Sequence, residues 1–205
     1  MRTARLSHEK IVATALAVVD EEGLGALTVR RVTQRLGVQP GALYKHVLDM
    51  DALREDVVWE ILKPVAELPF AGSSWQEQAV STSTALRRAL RQHPNVLPLL
   101  VGETGQRIWL RRVYAAFGSD IDTFIELLAL DGIDAKGALI IAEALEMLTV
   151  GSISVGMPVD IVVDQAHNLS SRTLELIMNS AAAADDRYEM VLQILLEGLG
   201  ERLRS

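Results

Sequence analysis

The chain has no cysteine. A disulfide framework, a thiolate metal site and cysteine nucleophile chemistry are therefore all excluded. It also lacks a long uncharged apolar run: the most apolar stretch, Ala138 to Val150, is interrupted by Glu143 and Glu146, too short and too charged to cross a bilayer unaided. The N-terminal residues Met1-Arg2-Thr3-Ala4-Arg5 lead straight into a charged segment with nothing like a signal peptide, so a cytoplasmic protein without a membrane partner is expected. No alternating strand pattern and no Asn-Gly or Asp-Gly hairpin is present, and helical periodicity dominates. The expected fold class is all-α.

Catalytic sets are missing as well. The four histidines, His8, His46, His93 and His167, are scattered and none forms a metal-binding pair one helical turn apart. There is no P-loop or dinucleotide fingerprint, and Gly151-Ser-Ile-Ser-Val-Gly156 is one residue too long for a nucleophile elbow. Neither an enzyme nor a metal or cofactor is expected. A satisfied core or solvated role is the expectation for His93 and His167, ahead of a ligand contact.

What is present is an uneven distribution of charge. The formal net charge is −7, yet residues 1–48 hold seven Lys/Arg against four acids, a net of +3, leaving 13 basic and 23 acidic residues in the remainder. A basic module on an acidic body fits a protein that approaches phosphates with its first part alone.

Periodicity and caps predict a helix from Ser7 to Glu22 ended by Gly23, and a second after Thr28 that is stopped by Gly37. A short third helix is expected over 39–46, and a fourth from Asp49 towards Pro64. The segment 64–74, with two prolines, a glycine and two serines, is the expected break. The predicted organisation is an N-terminal helical domain at 1–48, a connecting helix at 49–64 and a helical body at 65–205. Within the body, helices are expected over 75–92, 107–117, 121–130, 134–155, 172–182 and 185–203, with Pro94 and Pro98 confining the stretch between the first two to short turns.

The stretch Leu27-Thr-Val-Arg-Arg-Val-Thr-Gln-Arg-Leu-Gly-Val-Gln-Pro-Gly-Ala-Leu-Tyr-Lys-His-Val47 carries the functional signal. It supplies a helix of about two turns, a sharp turn and a second helix able to enter a major groove. Pro40 sits where a missing N–H is harmless, and Gly41 and Ala42 leave the leading face small enough for close approach to base edges. Tyr44, Lys45 and His46 follow as phosphate contacts, and Thr28 and Arg30 place a hydroxyl, helix N–H groups and charge nearby. A plain helical hairpin inside an all-α core remains the competing reading of amphipathicity alone.

The ordered set Glu-Glu-Gly, Leu-Thr-x-Arg-x-Val, Leu-Gly-Val, Leu-Tyr-x-His-Val and Ala-Leu, from Ile11 to about Ile61, resembles the DNA-binding domain of the TetR family of repressors. Ser74-Trp-Gln-Glu, the Ala85-Leu-Arg-Arg-Ala-Leu helix and His93 resemble the start of the regulatory domain in its tetracycline-repressor branch. That resemblance implies a ligand-responsive repressor binding palindromic double-stranded operator DNA as a homodimer, released by a small-molecule inducer. It implies DNA contacts at Thr28, Arg30, Gln39, Pro40, Gly41, Ala42, Tyr44, Lys45 and His46. It also implies a four-helix dimer interface from the helices bearing Ala138, Ala142, Leu145, Thr149, Val191, Leu195 and Leu199. Trp75, Trp109, Tyr114, Phe117, Phe124 and Met147 are the candidates for lining an inducer pocket, with plain core the leading expectation for any one of them, since large side chains dominate cores. Gly41-Ala42 departs from the larger or hydroxylated residues of the tetracycline repressor, so a different operator is expected. A helical module that binds protein or small molecule without DNA is the alternative function.

Overall fold

The computed structural model describes residues 6–69, 74–101, 105, 118–154, 170–173, 175 and 184–204. Among them there is no strand, and the chain is all-α; an isolated antiparallel bridge joins Ile133 to Arg204. No described helix is long and apolar enough to cross a membrane. The predicted helices at 107–117 and, for the most part, 172–182 lie outside the described residues.

The described chain forms two compact units. The first comprises residues 1–69 and 88–121, the second residues 70–87 and 122–205. Helix α1 (His8–Glu22) opens the first unit. The Ser7 hydroxyl accepts from the Lys10 N–H at 3.3 Å, and Gly23 ends the helix at φ 83°, a conformation that costs a side-chain-bearing residue more. Ile11, Val12, Ala15, Val18 and Val19 form its buried stripe, at the spacing of one helical face. Helix α2 spans Val29–Leu36, α3 Pro40–Leu43 and α4 Met50–Ala66. The Asp49 carboxylate caps α4 by accepting from the Ala52 N–H at 2.7 Å.

Helix α4 turns Leu53, Val57, Val58, Ile61 and Leu62 into the core against α1. One polar pair crosses with them, His8 Nε2 to Asp56 Oδ2 at 2.9 Å. The helix passes Pro64 and ends at Ala66, a little beyond the expected stop. A proline in the last turn forfeits a single intrahelical bond there, and Val65, 5% exposed, is held by the core.

Helix α5 (Trp75–Gln92) is followed by a 3₁₀ turn over Pro94–Leu99, where Val96, Leu99 and Leu100 are buried. Next come α6 (Gly118–Leu130), which belongs to the second unit from Asp122 on, then α7 (Ala135–Ser154) and α8 (Ala184–Leu203) of the same unit. Helix α6 begins three residues ahead of the expected start. Its unit packs around Trp75, Ala79, Leu128, Ile133, Ile141, Tyr188, Leu192 and Leu196.

Two polar devices close this second core. Arg87, almost fully buried, donates to Ser152 Oγ at 3.1 Å, pairs with Asp185 and lies 4.6 Å from the Tyr188 ring centre, so the cation is satisfied inside. Asp131 accepts from Trp75 Nε1 at 2.9 Å and from Arg204 Nη2 at 2.9 Å. These bonds, Trp75 first, hold the Asp131 carboxyl below the usual range. A folded-state value below the unfolded one contributes stability above the ordinary carboxylate range, and that contribution is lost as acid titrates the folded group. Unfolding of the native chain and of Asp131→Asn is therefore expected to differ at neutral pH and to converge below about pH 3.9, measured by denaturant titration at both pH values.

Candidate nucleic-acid interface

The reading module is built from caps. Thr28, extended at φ −126° and ψ 155°, accepts the Arg31 N–H on its hydroxyl at 3.2 Å and so opens α2. Gly37 closes it in the left-handed region at φ 69° and ψ 31°, with the Val38 N–H reaching back to the Thr33 carbonyl at 3.1 Å. This closure turns the chain sharply into α3 and is strained for any other residue type. Val32, Thr33 and Leu43 are buried and lock the two helices together. The Thr33 hydroxyl is satisfied by the Val29 carbonyl at 2.8 Å.

Helix α3 is regular only over Pro40–Leu43, shorter than the expected 39–46. The chain continues through a turn in which His46 N–H and Val47 N–H both donate to the Leu43 carbonyl, at 2.9 and 3.1 Å. Pro40 brings no donor, Gly41 weakens any helix, and Val47, 5% exposed, pulls the turn back to the core.

Exposure divides the module cleanly. Thr28, Arg30, Gln39, Pro40, Gly41, Tyr44, Lys45 and His46 are exposed, and Ala42 is half-buried. A side-chain carbon added at Gly41 would meet nothing within 4 Å, and Gly41 has no positive φ. The fold itself thus makes no use of a glycine there.

The cations divide too. Arg31 forks onto Glu22, Nε to Oε2 at 2.7 Å and Nη2 to Oε1 at 2.8 Å, and Arg35 pairs with Glu21. The fork holds the Glu22 carboxyl below its usual range. Among the described residues Arg30 and Lys45 have no carboxylate partner. Two cations therefore brace α2 against α1 and two remain unneutralised. Counting charges along the sequence did not separate them, because the Glu21 and Glu22 partners lie across a turn.

Residues 11–57 match the family profile described as "Bacterial regulatory proteins, tetR family". The class D tetracycline repressor of Escherichia coli is 37% identical over 92 residues, which are 44% of this chain and 42% of that protein, so this match spans less than half the relative's length. The class A repressor from transposon 1721, also of Escherichia coli, is 25% identical over 97% of this chain and 92% of its own. A TetR variant from Acinetobacter baumannii AYE, solved in complex with minocycline, superposes with a TM-score of 0.71 at 26% identity, covering 98% of this chain and 99% of that one. The chain is thus similar to TetR-family regulators, through their DNA-binding segment at residues 11–57 and in its fold. Its relatives are named as regulators of transcription and not as enzymes.

The remaining sequence-derived residues fall as follows. Trp75 is 1% exposed and meets Phe124 edge-on, ring centres 6.4 Å apart, whereas Met147 is 69% exposed. Trp109, Tyr114, Phe117 and His167 lie outside the described residues. On α7, Ala138 borders the core, Leu145 packs against it, Thr149 is buried with its hydroxyl 2.9 Å from that of Tyr188, and Ala142 is exposed. On α8, Leu195 and Leu199 are half-buried and Val191 is exposed. The sequence reading did not single out Leu139, Met190 and Ile194, which are exposed with Ala142, Met147 and Val191. Their signal was in the sequence: a helix apolar beyond one stripe has a second face to cover. His93, expected in a satisfied core or solvated role, is half-buried and bonds Asp20 at 2.9 Å.

Proposed function

We propose that the chain is a cytoplasmic, ligand-responsive repressor that binds palindromic operator DNA as a homodimer and is released by a small-molecule inducer. The observation that carries this reading is the exposed surface of Thr28, Arg30, Gln39, Pro40, Gly41, Tyr44, Lys45 and His46 around a short helix whose own chain packs only its back. A groove is the complement such a surface fits: a small leading edge for base edges, flanked by free cations for phosphates. One such helix reads too few base pairs to specify a genomic site, so two copies are required. The exposed apolar residues of α7 and α8, Leu139, Ala142, Met147, Met190, Val191 and Ile194, support the pairing. The inducer's class stays open among small molecules; the minocycline complex belongs to the Acinetobacter relative. Release works by movement of α4 between Val57 and Ile61, and needs a ligand that prefers one head spacing over the other.

Selection of fragments from random DNA tests the reading. An inverted repeat is the expected product, and failure to enrich any sequence would overturn it. On that operator, Arg30→Ala and Lys45→Ala are each expected to lower the slope of log affinity against log salt by about 2 per dimer, roughly 0.9 per phosphate contact. Arg35→Gln, whose charge is already neutralised by Glu21, should leave the slope almost unchanged. Tyr44→Ala should weaken all operators alike, whereas Gln39→Ala should shift preference among bases.

A further inference from the structure

Helix α8 has a second face that its own unit leaves uncovered. Tyr188, Leu192 and Leu196 form its buried stripe. Across the helix from that stripe, at 100° per residue, lie Arg187, Met190, Val191, Ile194, Gly198 and Glu201. Met190, Val191 and Ile194 are 60%, 47% and 62% exposed, and Arg187 and Glu201 are exposed with them. Among the described residues neither Arg187 nor Glu201 has an ion-pair partner in its own chain. Gly198 has no positive φ, and a side-chain carbon there would meet nothing within 4 Å. The fold therefore gains nothing from a residue that weakens the helix it sits in. The order along this face is self-complementary about Ile194: Met190 stands four positions before it and Gly198 four after, Arg187 seven before and Glu201 seven after.

We infer that α8 pairs with α8 of a second copy of this chain, antiparallel and centred on Ile194, with Met190 of each copy seated over Gly198 of the other and Arg187 facing Glu201. The inference rests on the homodimer of the proposed function and gives it an orientation. A two-fold interface uses one patch twice, so that where residue i of one copy meets residue j of the other, j also meets i. Two arrangements of α8 satisfy this rule. An axis running across the helix sets the copies in opposite directions, and then large meets small and positive meets negative. An axis running along the helix would set Arg187 on Arg187 and Glu201 on Glu201, like charges at both ends. It would also bring the two Met190 side chains together and leave the two Gly198 positions unfilled, a poorly packed contact. Charge and volume thus select the antiparallel arrangement. Met190, Ile194 and Gly198 lie on one row four residues apart, the ridge through which packed helices most often cross. A glycine on that row lets the second helix come close, which accounts for a residue the chain's own packing does not need.

The test is sedimentation equilibrium of the full-length chain, with circular dichroism on each preparation. Arg187→Glu and Glu201→Arg each put like charges across the axis at two places, and each is expected to weaken the dimer about ten-fold or more. Mixed in equal amounts, the two variants are expected to form a heterodimer within about three-fold of the native dimer's strength, because every charge then faces its opposite. Damage to a single chain would not be repaired by mixing. Gly198→Leu is expected to keep the native helicity and to weaken the dimer on the order of a hundred-fold, since it overfills the contact twice. Charge variants that dimerise like the native chain, or a mixture that yields no heterodimer, would overturn the inference and leave the homodimer standing. Loss of helicity in any of the three variants would show that the face serves its own chain, and would overturn it as well. Native protein that stays monomeric at every concentration would instead overturn the homodimer of the proposed function, and the inference with it.

Discussion

Replacing Gly41 by leucine is expected to stabilise the reading module slightly and to destroy operator binding. The two effects come from different places. A glycine inside a helix costs roughly 0.8–1 kcal/mol relative to the best helix formers, and only part of this is recovered in a helix as short as α3. Nothing within 4 Å obstructs the new side chain, and the backbone there has no positive φ to strain it. On the proposed function, a base pair fills the same space in the operator complex. A clash of the size of one mismatched pair costs about 1–3 kcal/mol per half-site, and a dimer meets it twice, so affinity should fall by about 2–6 kcal/mol in sum. Thermal unfolding and a gel shift on one preparation check both halves. A variant that unfolds earlier would show that Gly41 serves the fold; one that binds as tightly as the native chain would show that the groove does not approach it.

That contrast indicates what the sequence made legible and what it did not. Caps were legible because their chemistry is local: Ser7, Thr28 and Asp49 each accept an N–H three residues on, and Gly23 and Gly37 take the φ that closes a helix. The exposed reading surface followed from the same periodicity, since Val32 and Leu43 point inward and their neighbours cannot. Long-range polar pairs were not legible. His8 with Asp56, His93 with Asp20, Arg87 with Asp185 and Trp75 with Asp131 join residues 48 to 98 positions apart, and no spacing rule along the chain marks them. The discontinuity of the first unit, which recruits residues 88–121 starting within α5, escaped for the same reason. Composition marks a break at 64–74 but not a return.

Trp75 is where the two readings of a large aromatic, core or ligand contact, make opposite predictions. Its indole is 1% exposed, its Nε1–H is given to Asp131, and Phe124 meets it edge-on. Gly200 on α8 lets the chain close onto it, since a side-chain carbon there would stand only 3.2 Å from the ring. A residue so enclosed is held by its own unit. Trp75→Ala is accordingly expected to cost about 3–5 kcal/mol, or roughly 6–20 °C in the unfolding midpoint for a chain of this size. Trp75→Phe keeps most of the apolar volume but drops the donor, leaving Asp131 with Arg204, and should cost about 1–3 kcal/mol. Were the indole chiefly a wall for the inducer, the phenylalanine variant would unfold like the native chain and change only the ligand response. Calorimetric unfolding of the two variants separates these outcomes, and the burial, the bond to Asp131 and the glycine facing the ring all favour loss of stability.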